Sequence, residues 1–525
     1  MPSLRKVLPL AVALASVALA LGRCSPAAKP QAKHKPPTLR VQAFILPQPR
    51  SMIPREGNVY VDGQFTELIF NNLVKAKYLG NLAPELAESW TISPDHREYT
   101  FHLRRNIRFH DGRPFTAADV VFTMEELIRK AAEKFTEIKC IDGYEEFLDR
   151  RSATVRGLQV LDDHTVRILL DKNFKFFLQF LAAEYAAIVP RDYAGRDEAV
   201  FRSHPVGTGP FRLAGSETRT MHSQEFTVYR LEFNPDYFLP VGNVAVIDFY
   251  SANTAISSQC KESFDILYIS NKEILEMARK PDYRVINSSY NIINLLILNP
   301  NENSQMRERK VRQLINYAIN REDLARIVFH RKVLPAHSIM PYGLLGHNPY
   351  YRLDYSRAEK IRAEMPPGRI RFTILTPEDE RQRVAEYIAQ TLARFDIEVQ
   401  VIPVANQYDY WSTRIYHTQT SIMLGAIPDY PASYHFLTHL VEPNGYYNIF
   451  GFALPELKAR IDSLPSSDTM EETRTLAEIN AGFESESLYI PLYYDSNYVA
   501  IRSRISAAAF NYGEIIDFAG LEVAE

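Results

Sequence analysis

Two histidines and one aspartate stand close together near the C-terminal end of the chain. The stretch GAIPDYPASYHFLTHL begins at Gly425 and places Asp429 between two prolines, with His435 and His439 four residues apart. Histidines at this spacing on a helix face the same side and can share a metal ion. Because the sequence offers no third ligand nearby, we interpret them as two partly exposed helix histidines and predict no metal site.

Asp429 is the more distinctive of these groups. Proline fixes φ and lacks an amide donor, so the flanking Pro428 and Pro431 predict a rigid loop rather than a helix or a strand. A carboxylate held this firmly loses little entropy when it binds a cation. The alternative is an aspartate that caps the following helix or turn.

The chain carries no motif of a known catalytic or cofactor-binding class. It has no GxSxG elbow, no HExxH and no P-loop. Gly207 and Gly209 of HPVGTGPFRL permit close backbone approach, but residue 212 is Arg, so they do not form a dinucleotide-binding GxGxxG. We therefore predict a protein that is not an enzyme and that needs no cofactor.

Length and composition predict a large α/β protein. At 525 residues, 46% of them hydrophobic and 23% charged, the chain should divide into two or three lobes. The net charge of −3 gives no overall field that would attract nucleic acid.

The N-terminus is typical of an exported protein. Residues 1–24 combine a basic start with an apolar run that is too short to span a membrane, which predicts a signal peptide. The tetrapeptide that ends at Cys24 resembles the lipobox of bacterial lipoproteins, although Arg23 replaces a small residue. Cys24 is then the lipidation site, and the alternative is ordinary cleavage near Ala20. The composition of residues 25–37 predicts a polar tether.

Two further cysteines, Cys140 and Cys260, remain after Cys24. An oxidising compartment would allow them to form one disulfide, and the alternative is two buried thiols.

Hydrophobic periodicity predicts the elements that carry these groups. In residues 369–404 the apolar residues first alternate with polar ones, then recur at helical spacing, and then alternate again. This pattern indicates a βαβ unit. KVRQLINYAINREDLARIVF, from Lys310, predicts one long helix, and TAADVVFTMEELI predicts another that Thr116 caps.

Four ordered blocks resemble the solute-binding proteins of peptide ABC importers, family 5. They are residues 82–124, HPVGTGPFRL from His204, FNPDYF from Phe233, and KVRQLINYAINRED from Lys310. The resemblance covers nearly all of the chain after the tether. It implies a type II periplasmic-binding-protein fold of two lobes joined by hinge strands, with a subdomain inserted in lobe I.

The resemblance also implies where these parts lie. Lobe I would comprise residues 38–76, 204–289 and 490–525, the inserted subdomain residues 77–203, and lobe II residues 290–489. SSYNIINLLILN, from Ser288, and YIPLYYDSNYVAI, from Tyr489, would be the two hinge crossings.

In that family an aspartate followed by tyrosine, ahead of a helix that begins Phe-Leu, receives the ligand's amino group. Asp429 and Tyr430 match this pattern, so the resemblance implies that Asp429 binds the α-ammonium of a peptide. Six further residues fall in segments that line the cleft of relatives and are weaker ligand-binding candidates: Asn58, Tyr60, Asn406, Tyr410, Trp411 and Asn448.

The resemblance thus implies a subunit that captures peptides and delivers them to a membrane permease. Arg381 lies nearer the helix than the arginine that clamps short peptides in dipeptide-specific relatives, so we expect oligopeptides held by backbone hydrogen bonds. The protein would be a monomer, in the periplasm or on the outer face of the cytoplasmic membrane, attached by lipid alone. The alternatives are a binding protein for a nickel complex, a haem complex or an oligosaccharide, and a surface sensor lipoprotein without a transporter.

Overall fold

Two large β-sheets and one smaller sheet organise the chain. The structure is a computed structural model that describes residues 37–42, 53–54, 59–77, 81–131, 135–252, 256–290, 292–405, 420–510 and 516–524, the side chains of 59–63 excepted. This mixed α/β architecture is the predicted fold class.

The first large sheet has seven strands and is mixed. Its central strand, Thr38–Gln42, runs parallel to both of its neighbours, and the outer strands are antiparallel. In spatial order the strands are Tyr283–Asn287, Tyr498–Arg502, Ile266–Ile269, Thr38–Gln42, Val246–Ser251, Gln224–Phe233 and Phe211–Met221.

The second large sheet has six strands and contains the predicted βαβ unit. Strands Ile370–Pro377 and Ile397–Val404 pair in parallel, joined through the helix Glu380–Leu392, so this prediction is confirmed. In spatial order the strands are Leu334–Pro335, Tyr489–Asp495, Ile292–Ile297, Ser421–Ala426, Ile370–Pro377 and Ile397–Val404.

A four-stranded antiparallel sheet lies between residues 87 and 169, and two short strand pairs complete the β-structure. The four strands are, in spatial order, Ala87–Ile92, Glu98–Leu103, Thr165–Leu169 and Leu158–Asp162. The short pairs are Val74–Ala76 with Leu82–Pro84, and Ile505–Ser506 with Glu522–Val523.

Helices cover the sheets and connect them. In the part of the chain that the structure describes, the α-helices are Val59–Ile69, Ala117–Ala131, Tyr144–Leu148, Phe177–Leu181, Glu198–Ser203, Ser258–Lys261, Ile274–Ala278, Ser304–Arg307, Arg309–Ala318, Arg321–Ile327, Ser356–Glu364, Glu380–Leu392, Ser433–Val441, Pro455–Ser463 and Thr469–Glu486. Short 3₁₀ turns lie at Thr136–Cys140, Glu184–Ala186, Arg191–Gly195, Ala393–Phe395, Leu464–Ser466 and Phe518–Gly520. Within the described ranges, no helix is long and apolar enough to cross a membrane.

The helix predicted from Lys310 is two helices in the structure. Arg309–Ala318 ends before the extended Ile319, and Asn320 caps a second helix, Arg321–Ile327, by accepting the amide of Asp323 at 2.9 Å. Continuous apolar periodicity hid this break, because Asn is also tolerated within a helix. At Thr116, the Asp119 carboxylate accepts the Thr116 amide at 2.8 Å, as expected for a helix N-terminus.

The chain passes from the seven-stranded to the six-stranded sheet after residue 287 and returns after residue 495. The two passages are joined to each other, since the Ser288 amide donates to the Asn497 carbonyl at 3.0 Å. They fall in the two stretches predicted as hinge crossings, and their role as hinges stays a prediction. Strand Tyr489–Asp495 pairs with Ile292–Ile297 in the six-stranded sheet, so the return lies later than the predicted start of the last lobe I segment at residue 490.

Cys140 and Cys260 are buried free thiols, so the disulfide that the sequence allowed does not form. The two residues belong to different hydrophobic clusters. Cys140 packs in the largest cluster and Cys260 in a small one beside the seven-stranded sheet. The Cys140 thiol contacts the Glu137 carbonyl and the Cys260 thiol contacts the Met221 carbonyl.

Candidate functional site

The loop that carries Asp429 joins the strand Ser421–Ala426 to the helix Ser433–Val441. One tyrosine fixes its start, because the Tyr447 hydroxyl donates to the Ile427 carbonyl at 2.7 Å and accepts the Ile427 amide at 3.1 Å. The N-cap of the helix is Ala432, and no side chain caps it. Asp429 therefore does not cap this helix, which excludes the helix part of the helix-or-turn alternative.

Asp429 faces a buried histidine that is itself held by a second carboxylate. His435 Nε2 lies 3.3 Å from Oδ2 of Asp429, and its Nδ1 lies 2.9 Å from Oε1 of Glu137. Glu137 and His435 are almost completely buried, whereas the Asp429 side chain is 22% exposed. Asp429 is thus the solvent-facing end of a three-residue chain, Glu137–His435–Asp429.

The charges of this chain follow from its geometry. Burial alone would lower the pKa of His435, but the carboxylates of Asp429 and Glu137 raise it to about 9. Burial would likewise raise the pKa of Glu137, but hydrogen bonds from His435 and Tyr430 hold it below its usual value. One imidazolium between two carboxylates leaves a net negative charge, which favours a cation at the exposed end.

An open pocket begins at this exposed end. It is open to solvent and is rich in carboxylates. Its walls come from the helix Val59–Ile69 and the residues after it, from two points in the segment 81–203, and from the Asp429 loop. The lining residues are Thr66, Glu67, Phe70, Asn72, Lys75, Ala76, Glu85, Ala182, Glu184 and Asp429. The strand that leads to Asp429 belongs to the six-stranded sheet, so the pocket lies where separate parts of the fold meet.

Tyr430 points away from this pocket. Its ring is 1% exposed and lies 4.3 Å from the His435 ring, and its hydroxyl donates to Oε1 of Glu137 at 2.7 Å. Among the predicted ligand contacts, Tyr430 therefore supports the buried chain rather than lining the pocket. Burial is the first cause that raises its pKa, and the Glu137 charge is the next.

The segment that supplies Glu137 packs broadly against the residues around Asp429. Tyr434 stacks on Phe176 at 5.6 Å and meets Phe174 edge-on at 5.3 Å. Nearby, Nζ of Lys175 pairs with Oε2 of Glu472 at 2.6 Å and donates to the Ser467 carbonyl at 2.8 Å. Aromatic packing and a salt bridge thus flank the Glu137–His435 contact.

The histidine pair differs from its prediction in two ways. His435 is buried to 1% exposure, and it forms a T-shaped contact of 4.6 Å with the ring of His439. Asp429, in the loop just before the helix, supplies the third ligand that the prediction did not count: one ligand atom each of Asp429, His435 and His439 lies within 4.8 Å of the others. A prolyl loop that turns back onto the helix produces this proximity.

Asn448 is buried and its amide is used inside the protein. Its Nδ2 donates to the carbonyls of Glu442 and Phe452, and its Oδ1 accepts the Phe452 amide at 2.7 Å. These bonds assign Asn448 to loop structure. Asn58, Asn406, Tyr410, Trp411 and Cys24 lie outside the described residues, as does the side chain of Tyr60, whose backbone belongs to the helix Val59–Ile69.

Arg381 is occupied by a neighbour. Its guanidinium pairs with the Asp379 carboxylate, with Nε 3.0 Å from Oδ2 and Nη2 2.5 Å from Oδ2. This pairing gives no support to a carboxylate clamp at Arg381, in agreement with the sequence prediction.

Sequence reasoning missed Glu137, Lys175 and the carboxylates of the pocket walls. Glu137 stands in an unremarkable TEIKC segment, and its partner His435 is 298 positions away. In the sequence Glu137 is simply an acidic residue, and nothing there identifies its partner.

The sequence matches one family of proteins. A family model described as "Bacterial extracellular solute-binding proteins, family 5 Middle" matches residues 81–448. The chain belongs to this family, whose members bind solutes and are not enzymes.

Relatives extend this likeness over most of the chain. Heme-binding protein A of Haemophilus influenzae is 23% identical, and the match covers 86% of this chain and 85% of that protein. Di/tripeptide-binding protein 2 of Pseudomonas aeruginosa is 24% identical over 84% of this chain and 86% of its own length. Among solved structures, Haemophilus influenzae OppA in complex with RPPGFSPFR superposes with a TM-score of 0.74 at 16% identity, covering 93% of this chain and 99% of that one. The last comparison supports the type II periplasmic-binding-protein fold.

Proposed function

We propose that this chain is the substrate-binding subunit of a peptide ABC importer and that Asp429 binds the α-ammonium group of its ligand. The observation that carries the proposal is the net negative chain Glu137–His435–Asp429, whose exposed end opens into a carboxylate-rich pocket. An ammonium group that enters this pocket loses water, and a fixed opposite charge compensates for that loss. Peptides named as ligands of relatives support the same class of solute.

Oligopeptides are the favoured ligands. The described residues offer no arginine at the position expected to clamp a short peptide, since Arg381 pairs with Asp379. A longer peptide can instead add its backbone as a strand, with side chains in roomy pockets. Haemophilus influenzae OppA, which has the same fold, is solved with a nine-residue peptide.

The proposed parts are lobe I, the inserted subdomain and lobe II, with the lobe II boundary extended to residue 495. Support comes from the three sheets, because each of the proposed parts contains one of them. The hydrogen bond between Ser288 and Asn497, which joins the two passages of the chain, is further support. Open lobes would capture the ligand, and closure would be favoured by contacts made only when the lobes are shut. The closed form would then dock on the permease.

Export and anchoring are also part of the proposal. Residues 1–24 would direct export, and Cys24 would carry lipid, with residues 25–37 as a tether for a monomer that acts outside the cytoplasmic membrane. Fractionation of cells that express the Cys24→Ala variant tests the anchor. Lipidation requires the wild type to sediment with membranes and the variant to be released; equal release of both would reject it.

The decisive experiment compares Asp429→Asn with the wild type in calorimetric titrations of an unblocked oligopeptide library and of the same library N-acetylated. Loss of a charge-assisted hydrogen bond should weaken binding of unblocked peptides by about 2 kcal/mol, or roughly 30-fold. Acetylated peptides should bind weakly to both proteins. Asp149→Asn, at an exposed site, is the matched control.

An unchanged affinity of Asp429→Asn for unblocked peptides would reject the ammonium assignment. Mass spectrometry of ligands that co-purify from the native host tests the solute class separately. A pool of peptides supports the proposal. A haem or nickel complex would favour the second candidate, for which the relationship to Heme-binding protein A is the supporting observation; an oligosaccharide would reject both.

A further inference from the structure

The cluster of Asp429, His435 and His439 has the composition of a metal site. One ligand atom of each residue lies within 4.8 Å of the other two, and two of the residues stand one turn apart on the helix Ser433–Val441. Two imidazoles and a carboxylate form a donor set that suits zinc and nickel ions.

His435 is already oriented as a metal ligand would be. Its Nδ1 is 2.9 Å from the buried Glu137 carboxylate, so Nε2 is the atom that it can offer to an ion. Metal-bound histidines characteristically donate the hydrogen of their other nitrogen to a carboxylate, which fixes the ring and makes it more basic. Glu137 supplies that partner from a distant part of the chain.

His435 Nε2 is also a buried atom without a well-directed hydrogen bond in the described structure. Its approach of 3.3 Å to Asp429 is a contact between charges. Buried polar atoms normally have hydrogen-bond partners, so an exception needs an explanation. An ion between His435, Asp429 and His439 would satisfy this atom.

We propose that Asp429, His435 and His439 bind one divalent transition-metal ion, with Glu137 as the outer partner that orients His435. Three protein ligands leave a coordination position open, as in metal sites that accept an external ligand. Asp429 borders the pocket, which places the proposed ion beside it. The solute itself can then provide the fourth ligand.

Loading releases one proton, because the His435 imidazolium must lose its Nε2 hydrogen before that nitrogen can bind the ion. Loading also requires a modest rearrangement at His439. Its Nδ1 accepts the Tyr446 amide at 3.2 Å, so the neutral ring carries its hydrogen on Nε2. Coordination through Nε2 moves that hydrogen to Nδ1 and breaks this long hydrogen bond, whose net contribution is about 1 kcal/mol. Side-chain shifts of about an ångström bring the ligand atoms to metal-site spacing.

The ion and a peptide ammonium group use the same carboxylate. Metal-loaded and ammonium-bound forms are therefore mutually exclusive at Asp429, and each should weaken the other. The metal site itself does not depend on the proposed peptide function, because its ligands are all protein groups.

Titration of the untagged mature protein with Zn²⁺, after treatment with a chelator, tests the site. Calorimetry should give one ion per chain, and X-ray absorption at the zinc edge should report two imidazole nitrogens. His439→Ala and Asp429→Asn should each weaken binding at least about tenfold, and Glu137→Gln by about tenfold. His102→Ala, an exposed strand histidine, is the control and should bind as the wild type does.

Absence of stoichiometric Zn²⁺ binding, or binding that both His439→Ala and Asp429→Asn leave intact, overturns the proposal. Should His439→Ala fail to fold, Asp429→Asn decides alone. Peptide titrations of the metal-free protein are scored separately, so loss of the peptide function and loss of the metal site are distinguishable outcomes.

Discussion

Glu137 and His435 stand 298 positions apart in the chain and share a hydrogen-bonding contact of 2.9 Å in which both side chains are almost fully buried. Glu137 belongs to a 3₁₀ turn in the segment 81–203, whereas His435 lies on the helix that follows Asp429. The contact therefore joins two parts of the fold that the chain itself does not connect closely. If the proposed lobes open and close, this contact would act as a latch beside the pocket.

Glu137→Gln should weaken this latch. The neutral amide has the same shape but removes one of the two carboxylates that compensate the buried charge of His435. This should destabilise the closed form by about 3 kcal/mol. That shifts an open–shut equilibrium by roughly 150-fold. Small-angle scattering of the ligand-free protein should show a larger radius of gyration.

The exposed Glu145→Gln provides the control for this latch, because Glu145 stands on the neighbouring helix Tyr144–Leu148. Equal radii for the wild type and both variants would show that Glu137 does not hold the two parts together.

Hydrophobic periodicity predicted the helices and strands whose formation depends on residues close together in the sequence. The βαβ unit at residues 370–404 was readable because its hydrophobic periodicity is continuous along the chain. The two crossings were implied by the family resemblance and not by local periodicity. The break at Ile319 was not readable, because the apolar face continues across it. Glu137 could not be predicted, since its role comes entirely from a partner far away in sequence, whereas Asp429 was marked by its prolines.

His110 connects two of the sequence blocks that appeared independent. Its Nδ1 accepts the Gly207 amide at 3.3 Å, and its Nε2 donates to the Gly209 carbonyl at 3.0 Å. Burial lowers its pKa from 6.5 to about 4. The Asp-Gly turn and the GTGP loop are therefore held together by a neutral histidine.

Acid should weaken this junction. The pKa of His110 is lower in the folded than in the unfolded protein. Its contribution to stability is therefore complete above about pH 6.5 and is lost as the pH falls towards 4, by up to about 3 kcal/mol. In His110→Asn this part of the pH dependence should disappear. Urea unfolding at about pH 7.5 and about pH 4.5 measures it, with the exposed His102→Asn as the control. An identical acid loss in wild type and His110→Asn would assign the sensitivity to other groups.

Gly207 is required by close packing rather than by an unusual φ. A Cβ at this position would lie 1.8 Å from the carbonyl oxygen of Ile69, at the end of the helix Val59–Ile69. Gly207→Ala should therefore lower the free energy of unfolding by about 3 kcal/mol or more, since a backbone atom has to move.

Gly343 separates the two effects. It has a φ of +83° but open space around its Cβ position, so Gly343→Ala should cost only about 1 kcal/mol. Denaturant unfolding of both variants gives the comparison. A loss at Gly207 no larger than that at Gly343 would contradict the close-approach explanation.

Arg321 joins the broken helix to the strand Tyr489–Asp495. The residue is fully buried, and its guanidinium donates to the Asn316 and Ile319 carbonyls at 2.5 Å and to the Pro491 carbonyl at 2.9 Å. Burial lowers its pKa to about 10, which leaves it charged at neutral pH. The carbonyls freed by the break at Ile319 are thus paired by Arg321 in place of a continuing helix.

Arg321→Met keeps most of the side-chain volume but leaves these carbonyls unpaired, so we expect a loss of about 3 to 5 kcal/mol in the free energy of unfolding. Because Pro491 lies in the strand Tyr489–Asp495, hydrogen exchange should also become faster in that strand. Arg326→Met, an exposed position on the same helix, should change stability by less than about 0.5 kcal/mol. Slow exchange in Tyr489–Asp495 despite the Arg321 substitution would mean that the strand is held by its sheet partners alone, and that Arg321 serves the helix break without supporting the hinge.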